Sequence, residues 1–120
     1  MLEKPDIDVW YDPTYENYFR LLNVISELGK DTSEFRKEQT PRPRSSFFRL
    51  DFEEFSIDLL PEINSKIRFI DAFSNRIVLE YEGVTILLIA LNDLIKDKES
   101  SGRTKDKEDI ENLKRINKLP

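Results

Sequence analysis

Between Tyr15 and Leu28 the residues Tyr15, Tyr18, Phe19, Leu22, Ile25 and Leu28 recur at spacings of three and four, and Gly29 follows at once. That period paints one apolar stripe along a helix, and a glycine just past the stripe is a stop signal. Asp12-Pro13-Thr14 ahead of it reads as the start, with an oxygen-bearing cap and a proline whose missing N–H costs nothing in a first turn. Around this helix lie short β-rich runs. Ile7 to Tyr11 reads as a strand, Phe47 to Phe52 and Phe55 to Leu60 as two more, and Pro61 closes the last. Phe69 to Phe73 reads as a helical turn. Ile77 to Tyr81 and Val84 to Ala90 flank Glu82-Gly83, which predicts a two-residue hairpin. Asn92 is expected to cap a helix running to about Ser100 and ended by Gly102, and Thr104 to cap a last helix lined by Ile110, Leu113 and Ile116. The polar stretch Lys30 to Ser46, with Pro41-Arg42-Pro43-Arg44, reads as a mobile loop holding a short helical turn. Neither an internal repeat nor a second-domain boundary is visible. The expected fold is a single α/β (α+β) domain over residues 1–120, a mixed β-sheet with helices packed on it.

Two absences narrow the chemistry. The chain has no cysteine, which excludes a disulfide scaffold, a thiol nucleophile and every thiolate metal site. It has no histidine either, so catalysis would have to run on carboxylates, Lys, Arg, Tyr or a bound metal. Only three glycines are present and none lies close to another, which excludes a P-loop or a dinucleotide-binding fingerprint. The net charge of −5 argues against broad DNA binding, which depends on neutralising many phosphates. No run reaches the roughly 18 apolar residues of a membrane span, and Met1 is followed by Leu-Glu-Lys-Pro-Asp rather than a signal peptide. The expected location is the cytoplasm, away from membranes.

Asp6-Ile7-Asp8 opens the first strand. Side chains two apart on a strand face the same way, so both carboxylates can converge on one point. Hard oxygen ligands of this kind suit Mg²⁺ or Mn²⁺. Asp58 stands between Ile57 and Leu59-Leu60, where an acid is costly to bury unless paired or bound to metal. If its strand neighbours the first, Asp58 completes a three-carboxylate site. The plainer alternative is a pair of exposed acids near a terminus, in a chain with 24 of them. A second cluster gathers Lys98, Arg103, Lys105 and Asp109 around Gly102. A helix–Gly–helix corner can present cations and a helix N-terminus to a phosphate, although the chemistry alone favours a solvated charged surface.

A strand bearing Asp6-Ile7-Asp8-Val9, a helix ending Glu27-Leu28-Gly29 and a later Ile57-Asp58-Leu59-Leu60 together resemble the nucleotidyltransferase fold shared with DNA polymerase beta. The tail resembles a bacterial branch related to abortive-infection and toxin–antitoxin nucleotidyltransferases. It runs Asp93-Leu94-Ile95 with Lys98, then Gly102-Arg103 with Lys105-Asp106 and Asp109. The resemblance implies Asp6, Asp8 and Asp58 as catalytic ligands of Mg²⁺ or Mn²⁺. It implies Lys98, Arg103, Lys105 and Asp109 as nucleotide-binding residues. The implied reaction moves a nucleotide from an NTP to a protein or RNA acceptor with release of pyrophosphate, in a toxin–antitoxin or phage-defence system. The family's Gly-Gly or Gly-Ser phosphate turn lies upstream of the paired acids, and only five residues precede Asp6 here. A chain lacking that first strand and Gly-rich turn is the resulting expectation. One sheet edge would then be bare, and a homodimer could cover it. The alternative is a truncated, catalytically inactive remnant that acts only by binding protein.

Overall fold

The computed structural model describes residues 4–119. They form a mixed α+β arrangement that gathers into two compact units, divided between Glu62 and Ile63. Composition does not announce this division.

The first unit runs β1 (Asp6–Trp10), α1 (Tyr15–Glu27), α2 (Ser33–Arg36), a 3₁₀ turn (Pro43–Ser45), β2 (Phe48–Asp51) and β3 (Ser56–Leu60). The strand order is β1-β3-β2, with β1 parallel and β2 antiparallel to β3. Parallel neighbours cannot be joined by a tight turn, and α1 lies within the long connection that separates them. Within Asp12-Pro13-Thr14 the cap of α1 is Thr14, whose hydroxyl accepts from the Asn17 N–H at 3.1 Å. At the other end Gly29 takes φ +86°, its N–H reaches Ser26 O, and Lys30 N–H reaches Ile25 O. This pair of bonds is a Schellman stop, which needs a left-handed residue where glycine sits.

The helical stripe is narrower than its period suggests. Tyr18, Leu22 and Ile25 are buried against Tyr11, Phe48, Leu50 and Leu59, while Tyr15 is 63% and Phe19 48% exposed. Three strands with one helix on them cover only the middle of that stripe. Phe48 is the hub, with Tyr11, Tyr18 and Phe35 rings 4.9–6.4 Å away. The Tyr11 hydroxyl sits between the carbonyls of Pro43, at 3.0 Å, and Ser46, and burial pushes its phenol up to about 12. It ties down the proline-rich segment expected to be a loop. Thr32 anchors the segment's start, in contact with Ser26 Oγ at 2.8 Å and accepting from Arg36 Nε at 2.9 Å.

The second unit runs α3 (Phe69–Ser74), β4 (Ile77–Tyr81), β5 (Val84–Leu88), α4 (Leu91–Ser101) and α5 (Thr104–Ile116). β4 and β5 pair antiparallel across Glu82 and Gly83, whose φ values of 48° and 80° are the signature of a type I′ turn. Ala90 and Arg103 occupy the cap positions of α4 and α5 without side-chain caps, so the capping roles expected of Asn92 and Thr104 are not filled. Gly102, at φ +68°, makes the corner between the two helices. Among the described residues no helix is long and apolar enough to cross a membrane.

Leu22 is fully buried, so Leu22→Ala should cost about 3 kcal/mol by the usual cavity penalty. Phe19→Ala should cost less than about 1 kcal/mol. Urea unfolding followed by the fluorescence of Trp10, the sole tryptophan, checks both; equal losses would refute this placement of the helix.

Candidate functional site

Alternation along the strands divides the three-stranded sheet into two faces. Phe48, Leu50, Ile57 and Leu59 go toward α1. The opposite face carries Asp6, Asp8 and Trp10 from β1, Ser56 and Asp58 from β3, and Arg49 and Asp51 from β2. The register sets Asp6 beside Ser56 and Asp8 beside Asp58 on the parallel side. On the antiparallel side it sets Arg49 beside Asp58 and Asp51 beside Ser56. Asp6, Asp8 and Asp58 therefore share one face.

A cation already stands among them. Arg49 lies across the face, with Nη1 donating to both oxygens of Asp58 at 3.0 and 3.1 Å. Its Nη2 donates to Asp6 Oδ1 at 3.1 Å and to Ser56 Oγ at 3.0 Å. Nε lies 3.6 Å from Asp51 Oδ1. Ser56, wholly buried, also donates from its hydroxyl to Asp6 Oδ1. Asp51 has a second ion pair to Lys4 at 3.3 Å. The guanidinium is held above its ordinary pKa chiefly by Asp58, with burial working against and Asp6 and Asp51 adding. Single exposed ion pairs contribute little, but a fork shared by two carboxylates has the directional geometry that strengthens such contacts. The Asp58 side chain is 16% exposed against 56% for Asp6, so Asp58 most needs the charge beside it.

The donor types fit a hard divalent cation: carboxylate oxygens from adjacent strands on one face. Their present arrangement serves a guanidinium. Among the described residues no group of three or more acids is poised around a common point for a metal. Sequence reasoning missed Arg49 and Ser56. The alternation Phe48-Arg49-Leu50-Asp51 signalled a polar face, but the register that aims Arg49 at Asp58 is a property of strand pairing.

The residues around Gly102 form a separate network centred on one buried acid, Asp106. Asp106, 4% exposed, accepts from Arg103 Nε at 2.8 Å and from Ser101 Oγ, and lies 3.5 Å from Lys98 Nζ. Lys98 also donates to Asp109 at 3.0 Å. Lys98, Arg103 and Asp109 are thus joined through Asp106 and Lys98, and Lys105 lies on the exposed side of α5. The Ser101 hydroxyl lowers the Asp106 pKa; burial opposes this, and Arg103 and Lys98 add to the lowering. For Lys98 burial pushes the ammonium down, but Asp109 and Asp106 outweigh it and the net shift is upward. The geometry is that of a lock on a helix corner.

Comparisons of the chain with protein-family profiles, with curated proteins and with solved structures gave no match.

Because Asp106 is depressed below its ordinary 3.8, its stabilisation is complete above that pH and is lost as pH falls through the folded-state value. Lys98, raised above 10.5, loses its share only as pH rises through its own folded-state value. Asp106→Asn should therefore cost about 2 kcal/mol near neutrality. Its deficit relative to the wild type should shrink as pH drops below 3.8. Urea titrations of both proteins across that range check this, and a deficit independent of pH would refute the charged lock.

Proposed function

We propose that this chain is a nucleotidyltransferase-like protein whose polar sheet face, with Asp6, Asp8 and Asp58, is the place where a nucleoside triphosphate would meet its acceptor. The observation that carries this reading is the parallel register setting Asp8 beside Asp58, with Asp6 two residues earlier on the same face. The reaction is transfer of a nucleotide from an NTP to a protein or RNA acceptor, in a toxin–antitoxin or phage-defence setting. Mg²⁺ or Mn²⁺ would be held by Asp6, Asp8 and Asp58, and the chemistry such an ion supplies is neutralisation of the triphosphate's charge.

The chain's own residues have definable parts. Asp58, half-enclosed and beside both neighbouring strands, fixes the centre of the face. Ser56 orients the Asp6 carboxylate through its hydroxyl. Of the two exposed cations at the helix corner, Arg103 is paired with Asp106, and Lys105 is the one proposed to meet a phosphate there. Lys98, Arg103 and Asp109 are engaged with one another and with Asp106, which gives them first a structural part. A second reading, a non-catalytic module that binds protein, draws its support from Arg49, which already satisfies Asp6 and Asp58.

β1 is an edge strand, and its Ile7 and Val9 are 47% and 40% exposed. An edge of that kind invites pairing with another strand, and a second copy of the chain is the proposed occupant. Sedimentation should show a dimer at micromolar concentration; a monomer throughout would remove the homodimer.

Calorimetric titration of Mn²⁺ with ATP or CTP tests the enzyme reading. Saturable binding by the wild type, absent from a folded Asp6→Ala/Asp8→Ala variant, is expected. Absence of binding from folded wild type would leave the protein-binding module.

A further inference from the structure

Arg49 and a divalent cation would need the same oxygens. Arg49 starts on β2, passes over Asp58 on the central strand and reaches Asp6 on the far strand. Neighbouring strands lie roughly 4.8 Å apart, so the extended side chain bridges the width of the sheet and roofs its middle. Both Asp58 oxygens and one Asp6 oxygen are already accepting from it. A small divalent ion demands direct oxygen contact at about 2.1 Å, which these oxygens cannot give while bonded to a guanidinium that separates them. Like charge adds repulsion at close range.

From this arrangement we infer that Arg49 is a built-in competitor for the cation position, so that the acidic face takes up a divalent ion only when the guanidinium leaves. The inference rests on reading Asp6, Asp8 and Asp58 as a metal site, and it adds the regulation of that site. Release is feasible on physical grounds. The Arg49 side chain is 42% exposed, so its tip can turn into water, and the charge that Asp58 loses when the fork opens is the charge a bound divalent ion would supply. Apparent metal affinity is then the intrinsic affinity scaled by the fraction of molecules with Arg49 released. Arg49 is also the residue that holds two acids at close quarters without a metal, so the face stays ordered when no ion is bound.

The test uses Mn²⁺ alone as the probe, with the free ion followed by electron paramagnetic resonance on the full chain. Arg49→Gln should bind Mn²⁺ about tenfold or more tighter than the wild type, the effect of losing one nearby positive charge. Arg49→Gln/Asp58→Asn should lose that gain. Arg49→Lys keeps the charge but lacks the fork that spans two carboxylates, and should fall between the two. It carries the comparison if circular dichroism shows the Gln variant unfolded. Equal affinities for wild type and Arg49 variants, both abolished by Asp58→Asn, would overturn the competition and leave the three-aspartate site standing. No binding by wild type or any folded Arg49 variant would overturn the site itself, and the competition with it.

Discussion

The parallel pairing of β1 with β3 is the constraint on which the first unit depends. It requires a connection long enough to return the chain to the same end of the sheet, and α1 falls within it. It fixes which residues of both strands look toward that helix. One residue of slip would turn Asp58 toward Phe48 and Leu22, where an unpaired carboxylate would be severely penalised. The buried apolar set and the charged face are consequences of the same register.

That register creates an electrostatic problem. Asp6, Asp8, Asp51 and Asp58 are crowded on one small face, and the fold answers with Arg49 from β2 and Lys4 ahead of β1. The answer is specific in geometry, because a planar fork serves two carboxylates at once where an ammonium would serve one point. The same device recurs in different form in the second unit. There Asp106 is enclosed by Ser101, Arg103 and Lys98 beside the Gly102 corner. In both places the cations are first engaged by the protein's own acids, and any ligand must compete with those contacts.

Local signals were well written in the chain. The stop at Gly29, the hairpin turn at Glu82-Gly83 and the corner at Gly102 each rest on one or two residues whose backbone must adopt positive φ, and such demands are visible in a string of letters. Capping was less legible: Thr14, within the expected Asp12-Pro13-Thr14 start, makes the bond, while Asn92 and Thr104 have suitable side chains and do not cap. The extent of the helical stripe was overstated too. Tyr15, Phe19 and Leu28 have the right period, yet nothing in the period says how wide a surface will cover them.

The sequence by itself determined the positions of the turns, the existence of α1, the polar alternation of the strands and the shared orientation of Asp6 and Asp8, because each follows from contacts within a few residues. Asp58 as neighbour of Asp8, Arg49 as the cation between Asp58 and Asp6, and Asp106 as the centre of the helix corner were decided only by tertiary structure. Strand register joins residues some fifty positions apart, and helix packing decides which acid loses its water. Neither local propensity nor periodicity carries that information. The charge that stands beside each carboxylate is chosen by the whole fold.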